Sequence, residues 1–258
     1  VSYGGGTRNG PKEIIKASHQ VELYDEELHC EPYKKIGIKT LKPFKINKDI
    51  KKALKKMSDV NEEILHNNLF PITFGGEHSI TPGCIAPFVK KHKKIFLLHF
   101  DAHADLRESY NGEKFSHASA IKRCLDYKNV SVISFGIRNI SKNEIPFLKK
   151  NSSRIDIFWA KDKAKWNLEK FKNIIKNKTV YLTFDVDGLD SSIMPATGTP
   201  EPGGLLWDET LNIIKIAAKN SNIVGADINE LSPIKGFNSY NFLVAKLAYK
   251  ILSYKFLY

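Results

Sequence analysis

The chain has 258 residues and 42% hydrophobic content, enough to build a sizeable core and incompatible with a disordered chain. Its longest apolar runs, such as "IFLLHF" and "VYLTF", are of strand length and fall far short of the about 18 residues a membrane helix needs, so no membrane partner is expected. The formal charge of +12 is spread thinly along the chain with no nucleic-acid motif beside it, so it reads as a solvated lysine-rich surface and no nucleic-acid partner is expected.

From the N-terminus, "INKDIKKALKKM" has the apolar spacing of an amphipathic helix with a charged outer face, and "LFPITF" follows as a strand. "SITPGCIAPFVKKH" opens a helix with Thr81 as N-cap and Pro82 at its first position. "KIFLLHF" is a buried strand that leads into "DAHADLR", and the stretch "RESYNGEKFS" is too long for a mere connector. Then come the strand "VSVISFG", the lysine-rich helical stretch "LEKFKNIIKNK" and the strand "TVYLTF", which runs into the long loop "GLDSSIMPATGTPEPGG". "DETLNIIKIAAKN" is a helix with Asp208 as N-cap, and "NIVGAD" is the last strand. Strands alternating with helices predict an α/β fold, three-layer αβα with a mainly parallel sheet, in a single domain over residues 1–258. Cys30, Cys84 and Cys124 are widely spaced with no CxxC pair, and no signal peptide is visible. Together these predict reduced thiols in a cytoplasmic protein.

Three strand ends carry metal-binding residue types: His78 in "TFGGEHSI", Asp101, His103 and Asp105 in "HFDAHADLR", and Asp185 and Asp187 in "LTFDVDGLD". Ligands of open α/β sheets bind at the carboxyl ends of strands, so these segments can converge on one site. Taken singly, each residue reads as a helix cap or a satisfied polar group. Taken together, four aspartates brought close repel one another and raise each other's pKa unless cations balance them. Four carboxylates and two imidazoles are about what a two-metal centre with bridging carboxylates requires. The absence of thiolate favours a harder divalent ion such as Mn²⁺ over structural zinc.

"GGEHS", "FDAHAD" and "TFDVDGLDSSIMPATGTPEPGG", in this order, resemble the three signatures of the ureohydrolases, the arginase and agmatinase family. The resemblance runs from "GTRNGP" to "NELSP" and beyond, with Ser191 standing where the family usually has Pro or Ala. It implies an arginase-like fold with two Mn²⁺ per subunit. One ion would be held by His78, Asp101, Asp105 and Asp185 and the other by Asp101, His103, Asp185 and Asp187, so that Asp101 and Asp185 bridge. It also implies hydrolysis of a guanidinium group by metal-bridging hydroxide, with His117 moving a proton to the leaving amine and Glu230 binding the guanidinium. His99, Asp190 and Asp227 read as supporting residues behind the ligands. The family usually forms trimers or hexamers, so a homo-oligomer is expected.

Between Asp105 and His117 the chain reads "LRESYNGEKFS", without the polar groups that resemblance to an arginase would require for the amino-acid head of arginine. The stretch "NGEKFSH" is similar to the agmatinase pattern, although Ala196 in "PATGTP" is common in arginases. The expected reaction is therefore hydrolysis of agmatine to putrescine and urea. The alternatives are aminopropylagmatine, guanidinobutyrate or arginine as substrate, or a non-catalytic homologue acting as a binding or assembly protein. The intact set of ligands, with His117 and Glu230, argues against a decayed site. Arg107 is expected to point outward, since an inward guanidinium would face two divalent ions.

Overall fold

The computed structural model describes residues 3–258. Six strands form one sheet: β1 (Ile72–Phe74), β2 (Ile95–Phe100), β3 (Val130–Phe135), β4 (Ile155–Phe158), β5 (Thr179–Asp185) and β6 (Asn222–Asn229). Their order is β1-β6-β5-β2-β3-β4 and every pairing is parallel. Five of the six fall on the segments whose composition marks them as strands, β5 running one residue and β6 two residues beyond them. The sixth, β4, has the sequence "IDIF" at the sheet edge; it is short, half-buried at two of its four positions and interrupted by Asp156, so it carries little periodic signal.

The central strands β2 and β3 are buried at every position, as expected of a parallel sheet covered on both faces. Alternate residues of β2 feed two cores. Phe96, Leu98 and Phe100 pack with α7 (Leu168–Ile175), α8 (Trp207–Asn220) and α9 (Ser239–Leu257). Ile95 and Leu97 pack with α4 (Thr81–Lys91) and α5 (Ala120–Leu125), and α3 (Ile50–His66) lies against α4. The result is three layers, and its chirality follows from chain direction. From β2 the chain steps outward to β3 and β4, then returns to β5 on the other side of β2 and steps outward again to β6. Right-handed crossovers place the helices of these two runs on opposite faces. The loops after β2 and β5 consequently leave in opposite directions and open a crevice at their carboxyl ends.

A row of phenylalanines fixes the register at that crevice. Phe184, Phe100, Phe135 and Phe158 stand at paired positions across β5, β2, β3 and β4, with successive ring centroids 4.9, 6.0 and 4.3 Å apart. Asp101 and Asp185 each follow one of these phenylalanines, so the same row sets the two carboxylates side by side.

Two helix starts differ from expectation by one or two residues. Ile80, not Thr81, is the N-cap of α4; Thr81 is the first helical residue, and its hydroxyl donates to Asp227 instead of capping. Leu206, not Asp208, is the N-cap of α8, where the Glu209 carboxylate accepts the Leu206 N–H at 2.8 Å and leaves Asp208 inside the first turn. The stretch "VKKHKKI" is divided, its first three residues ending α4 and its isoleucine opening β2. Among the described residues no helix is long and apolar enough to cross a membrane.

Candidate metal centre

The three strand ends do meet. His78 Nδ1 lies 3.1 Å from Asp101 Oδ2, 3.1 Å from Asp105 Oδ2 and 3.5 Å from Asp185 Oδ2, all four groups being buried. Beside this set, His103 Nδ1 lies 3.0 Å from Asp187 Oδ2 and 3.5 Å from Asp101 Oδ1. Asp101 thus offers one oxygen to each group. Asp185 reaches the first group through Oδ2, while its Oδ1 accepts the Asp187 N–H at 3.0 Å.

The local backbone explains the convergence. Asp101 Oδ1 accepts the His103 N–H at 2.6 Å and Asp187 Oδ1 accepts the Ala102 N–H at 2.9 Å, so each carboxylate folds its own loop or clasps the neighbouring one. Gly188 permits the clasp: a Cβ there would lie 2.7 Å from Asp101 N. Asp105 and Glu230 both sit at positive φ, 52° and 66°, a conformation costing an L-residue about 1–2 kcal/mol and often kept at functional sites.

The donor atoms fit divalent cations. The His78 Nδ1 atom is buried without a hydrogen bond, although two carboxylate oxygens face it. Its other nitrogen, Nε2, lies 2.9 Å from Thr183 Oγ1, whose proton goes to Asp227 Oδ1 at 2.6 Å. That hydroxyl therefore accepts from Nε2–H and leaves the Nδ1 lone pair for the centre, the arrangement by which outer groups orient a metal-binding imidazole. Ligands about 2.1 Å from an octahedral ion lie roughly 3 Å from one another, comparable to the spacings here.

Electrostatics point the same way. Burial alone would push Asp101 up, but the imidazoles of His103, His78 and His99 set against it together hold it well below the ordinary carboxylate range. Burial and the charges of Asp187 and Asp101 drive Asp185 well above that range; Asp187 is also raised, chiefly by burial and then by Asp101. Burial opposes protonation of His103, yet Asp101 and Asp187 push it up to about 12. Without cations the cluster keeps its charges together by retaining protons, and divalent ions would replace them.

His99 belongs behind this centre. It comes within reach of His78 and Asp101, but its Nε2 bonds Asp101 Oδ2 at 2.9 Å and its Nδ1 bonds Ser134 Oγ at 3.0 Å, so both nitrogens are committed to orienting Asp101. Asp227 supports His78 through Thr183, as expected of a group behind the ligands. Asp190 acts elsewhere. It accepts from Ser192, Gly203 and Gly204 and so pins its own loop, and these bonds lower its carboxyl to about 2.

A cavity of about 240 Å³ opens above the carboxylates, and both His117 and Glu230 line it. Glu230 Oε1 accepts the His78 N–H at 2.8 Å, and burial raises its carboxyl to about 7. His117 begins a short 3₁₀ turn; its Nδ1 makes no hydrogen bond and lies 3.6 Å from Glu77 Oε1, and burial lowers its pKa. Arg107 differs from expectation: it lines the cavity, with its guanidinium 5.3 Å from the centre of the Tyr110 ring, whose quadrupole stabilises a cation there. Tyr110 in turn stands edge-on to His117 at 5.6 Å.

Sequence reasoning missed Arg138. Its guanidinium donates to the backbone carbonyls of Gly136, Asp187, Leu189, Glu201 and Pro202, binding the loop after β5 to the loop after β3. Arginine next to a strand end has no distinguishing sequence signal, because its partners are backbone atoms remote in the chain.

The chain is similar to known proteins along nearly its whole length. The model of the arginase family matches residues 1–253. A Synechocystis N(1)-aminopropylagmatine ureohydrolase is 34% identical over 98% of this chain and 85% of its own length. A Bacillus anthracis agmatinase is 35% identical over 91% of this chain and 80% of its own. The crystal structure of an agmatine ureohydrolase of Thermoplasma volcanium superposes with a TM-score of 0.88 at 29% identity, covering all of this chain and 86% of that one.

Proposed function

From the fact that this chain belongs to the arginase family and is a ureohydrolase of it, we propose that it is a binuclear manganese enzyme that hydrolyses agmatine to putrescine and urea. The observation that carries this reading is the pair of histidine–carboxylate groups sharing Asp101 beneath a cavity that also holds His117 and Glu230. His78, Asp101, Asp105 and Asp185 would hold one ion and Asp101, His103, Asp185 and Asp187 the other. The oxygen-rich donor set suits Mn²⁺. Two such ions supply positive charge and a water acidic enough to act as nucleophile at neutral pH.

The protein's own residues do the rest. Glu230, kept partly protonated near neutrality by burial, ionises when a guanidinium arrives, and its planar carboxylate holds the planar cation. The His78 N–H fixes that carboxylate at 2.8 Å. His117, uncharged at pH 7 because burial lowers its pKa, has an uncommitted Nδ1 that can take up the proton given up by the attacking water and pass it on to the leaving amine nitrogen.

The amine end of the substrate is read from charge. Among the described residues, Glu201 and Glu144 line the cavity against a single arginine, which favours a cationic tail over a carboxylate. A second reading, guanidinobutyrate, is supported by Arg107 in the cavity wall. The test is urea release by Mn²⁺-loaded protein from agmatine, arginine, guanidinobutyrate and aminopropylagmatine. Agmatine should exceed arginine by at least roughly 10²-fold in kcat/KM, because a buried α-carboxylate without partners costs several kcal/mol. Equal turnover of arginine or guanidinobutyrate would falsify the agmatine assignment.

A further inference from the structure

The cavity has more carboxylates than the chemistry at its floor uses. Asp105, Asp185 and Asp187 belong to the candidate metal centre and Glu230 to the guanidinium. Glu144 also borders the cavity, but both its oxygens are consumed, one by the Leu106 N–H at 2.8 Å and the other by the Ser141 N–H at 2.6 Å. A carboxylate already satisfied by two backbone donors has little to offer a ligand. By elimination among the described residues, Glu201 is the anion in the wall with capacity to spare: Asn139 Nδ2 donates to its Oε1 at 2.7 Å, leaving Oε2 for another donor.

Glu201 is also held in place from three sides. Its carbonyl accepts from Arg138 Nη2 at 2.6 Å, and the same nitrogen donates to Asp187 O at 2.7 Å, so the Glu201 backbone is fixed to a loop that carries a candidate ligand. Asn139, which orients the carboxylate, pairs with His103 in a parallel bridge and accepts the Ala104 N–H at 3.2 Å. Asp190 anchors the loop beyond through Gly203 and Gly204. A half-exposed glutamate ordinarily loses side-chain entropy on binding a ligand, and this anchoring removes part of that cost.

We propose that Glu201 is the specificity-determining residue of the site, receiving the distal ammonium of a guanidino-amine substrate, with Asn139 as its positioning residue. The proposal rests on the ureohydrolase reading with a cationic tail. Arg107, held over Tyr110, also lines the cavity and disfavours a second positive charge beside itself, leaving Glu201 as the receiver of the ammonium.

The experiment compares agmatine with butylguanidine, which has the same carbon chain and a neutral end. In Glu201→Gln the Oε1 acceptor for Asn139 is retained and only the charge is lost. The ratio of kcat/KM for agmatine to that for butylguanidine should fall roughly 10- to 50-fold, chiefly through KM for agmatine, the loss expected of a partly solvated charge-assisted hydrogen bond. Asn139→Ala should shift the ratio in the same direction by less, and Glu201→Lys should turn preference toward guanidinobutyrate. Melting temperature and manganese content, measured alongside, separate this effect from misfolding. A wild-type preference for agmatine that Glu201→Gln retains, in folded and metal-loaded protein, overturns the Glu201 assignment alone. A wild-type protein that hydrolyses only carboxylate-tailed guanidino compounds overturns the assignment and the agmatine reading together.

Discussion

Asp101 and His117 line the same region but differ in what surrounds them, and this predicts different failures. Asp101 presents Oδ2 toward His78 and Oδ1 toward His103, and is the group both halves of the centre share. Asp101→Asn should therefore abolish urea release and lower manganese content, as should Asp185→Asn, whose Oδ2 faces His78. Full metal occupancy with normal turnover in either variant would contradict a shared two-metal centre. His117 has no carboxylate ligand of the centre within hydrogen-bonding distance; its charged neighbour is Glu77 at 3.6 Å, and its ring is set by Tyr110. His117→Ala should keep both metals and slow turnover by roughly 10²- to 10⁴-fold, the usual worth of a positioned acid–base group. Loss of metal from that variant, measured by elemental analysis after gel filtration, would instead make His117 a ligand.

At the scale of elements, the site depends on two loops that approach closer than side chains allow. The loop after β5 lies so near the start of the loop after β2 that a Cβ on Gly188 would meet Asp101 N at 2.7 Å and Phe100 C at 3.0 Å, both backbone atoms that cannot turn aside. Gly188→Ala should force Asp187 and Asp101 apart, lowering stability by about 1–3 kcal/mol and metal content with it; unchanged melting and full occupancy would show that the loops have slack. This closeness also shows what the sequence could reveal. Asp101, His103, Asp105, Asp185 and Asp187 were legible because each stands two residues from another candidate ligand just after an apolar run. The parallel sheet was legible from the same runs, whereas β4, with Asp156 inside four residues, was not. Arg138, Asn139 and Glu201 act through partners about 45 to 65 positions away or through backbone carbonyls, and local pattern holds no trace of such pairings. Arg107 was misread because repulsion by cations was weighed without the stabilising face of Tyr110.

For the molecule as a whole, metal binding and folding are coupled through protons. The centre draws together segments that follow β1, β2 and β5, so ions bound there would tie one half of the sheet to the other and stabilise the fold, by about 2.7 kcal/mol at a hundred times the dissociation constant. The size of the effect depends on pH, and its sign follows from the histidines. Against the opposing influence of burial, Asp101 and Asp187 raise folded His103 to about 12, and Asp101 and Asp105 raise His78 well above its ordinary value. A raised folded pKa gives the metal-free fold a stabilisation that is complete below the unfolded value of about 6.5 and is lost as pH climbs toward the folded one. The metal-bound fold, in which these nitrogens carry no proton toward the centre, loses nothing over that range. Between pH 6 and 8 the gap between the two should therefore widen. The apparent dissociation constant for Mn²⁺ should fall about tenfold or more per pH unit for each proton displaced, and the manganese-induced rise in melting temperature should be larger at pH 8 than at pH 6. Parallel thermal scans of chelator-treated and manganese-loaded protein measure that difference directly. A gap that stays constant or narrows across the window would mean that the ions bind without displacing the His78 and His103 protons, and hence that these imidazoles are not their ligands.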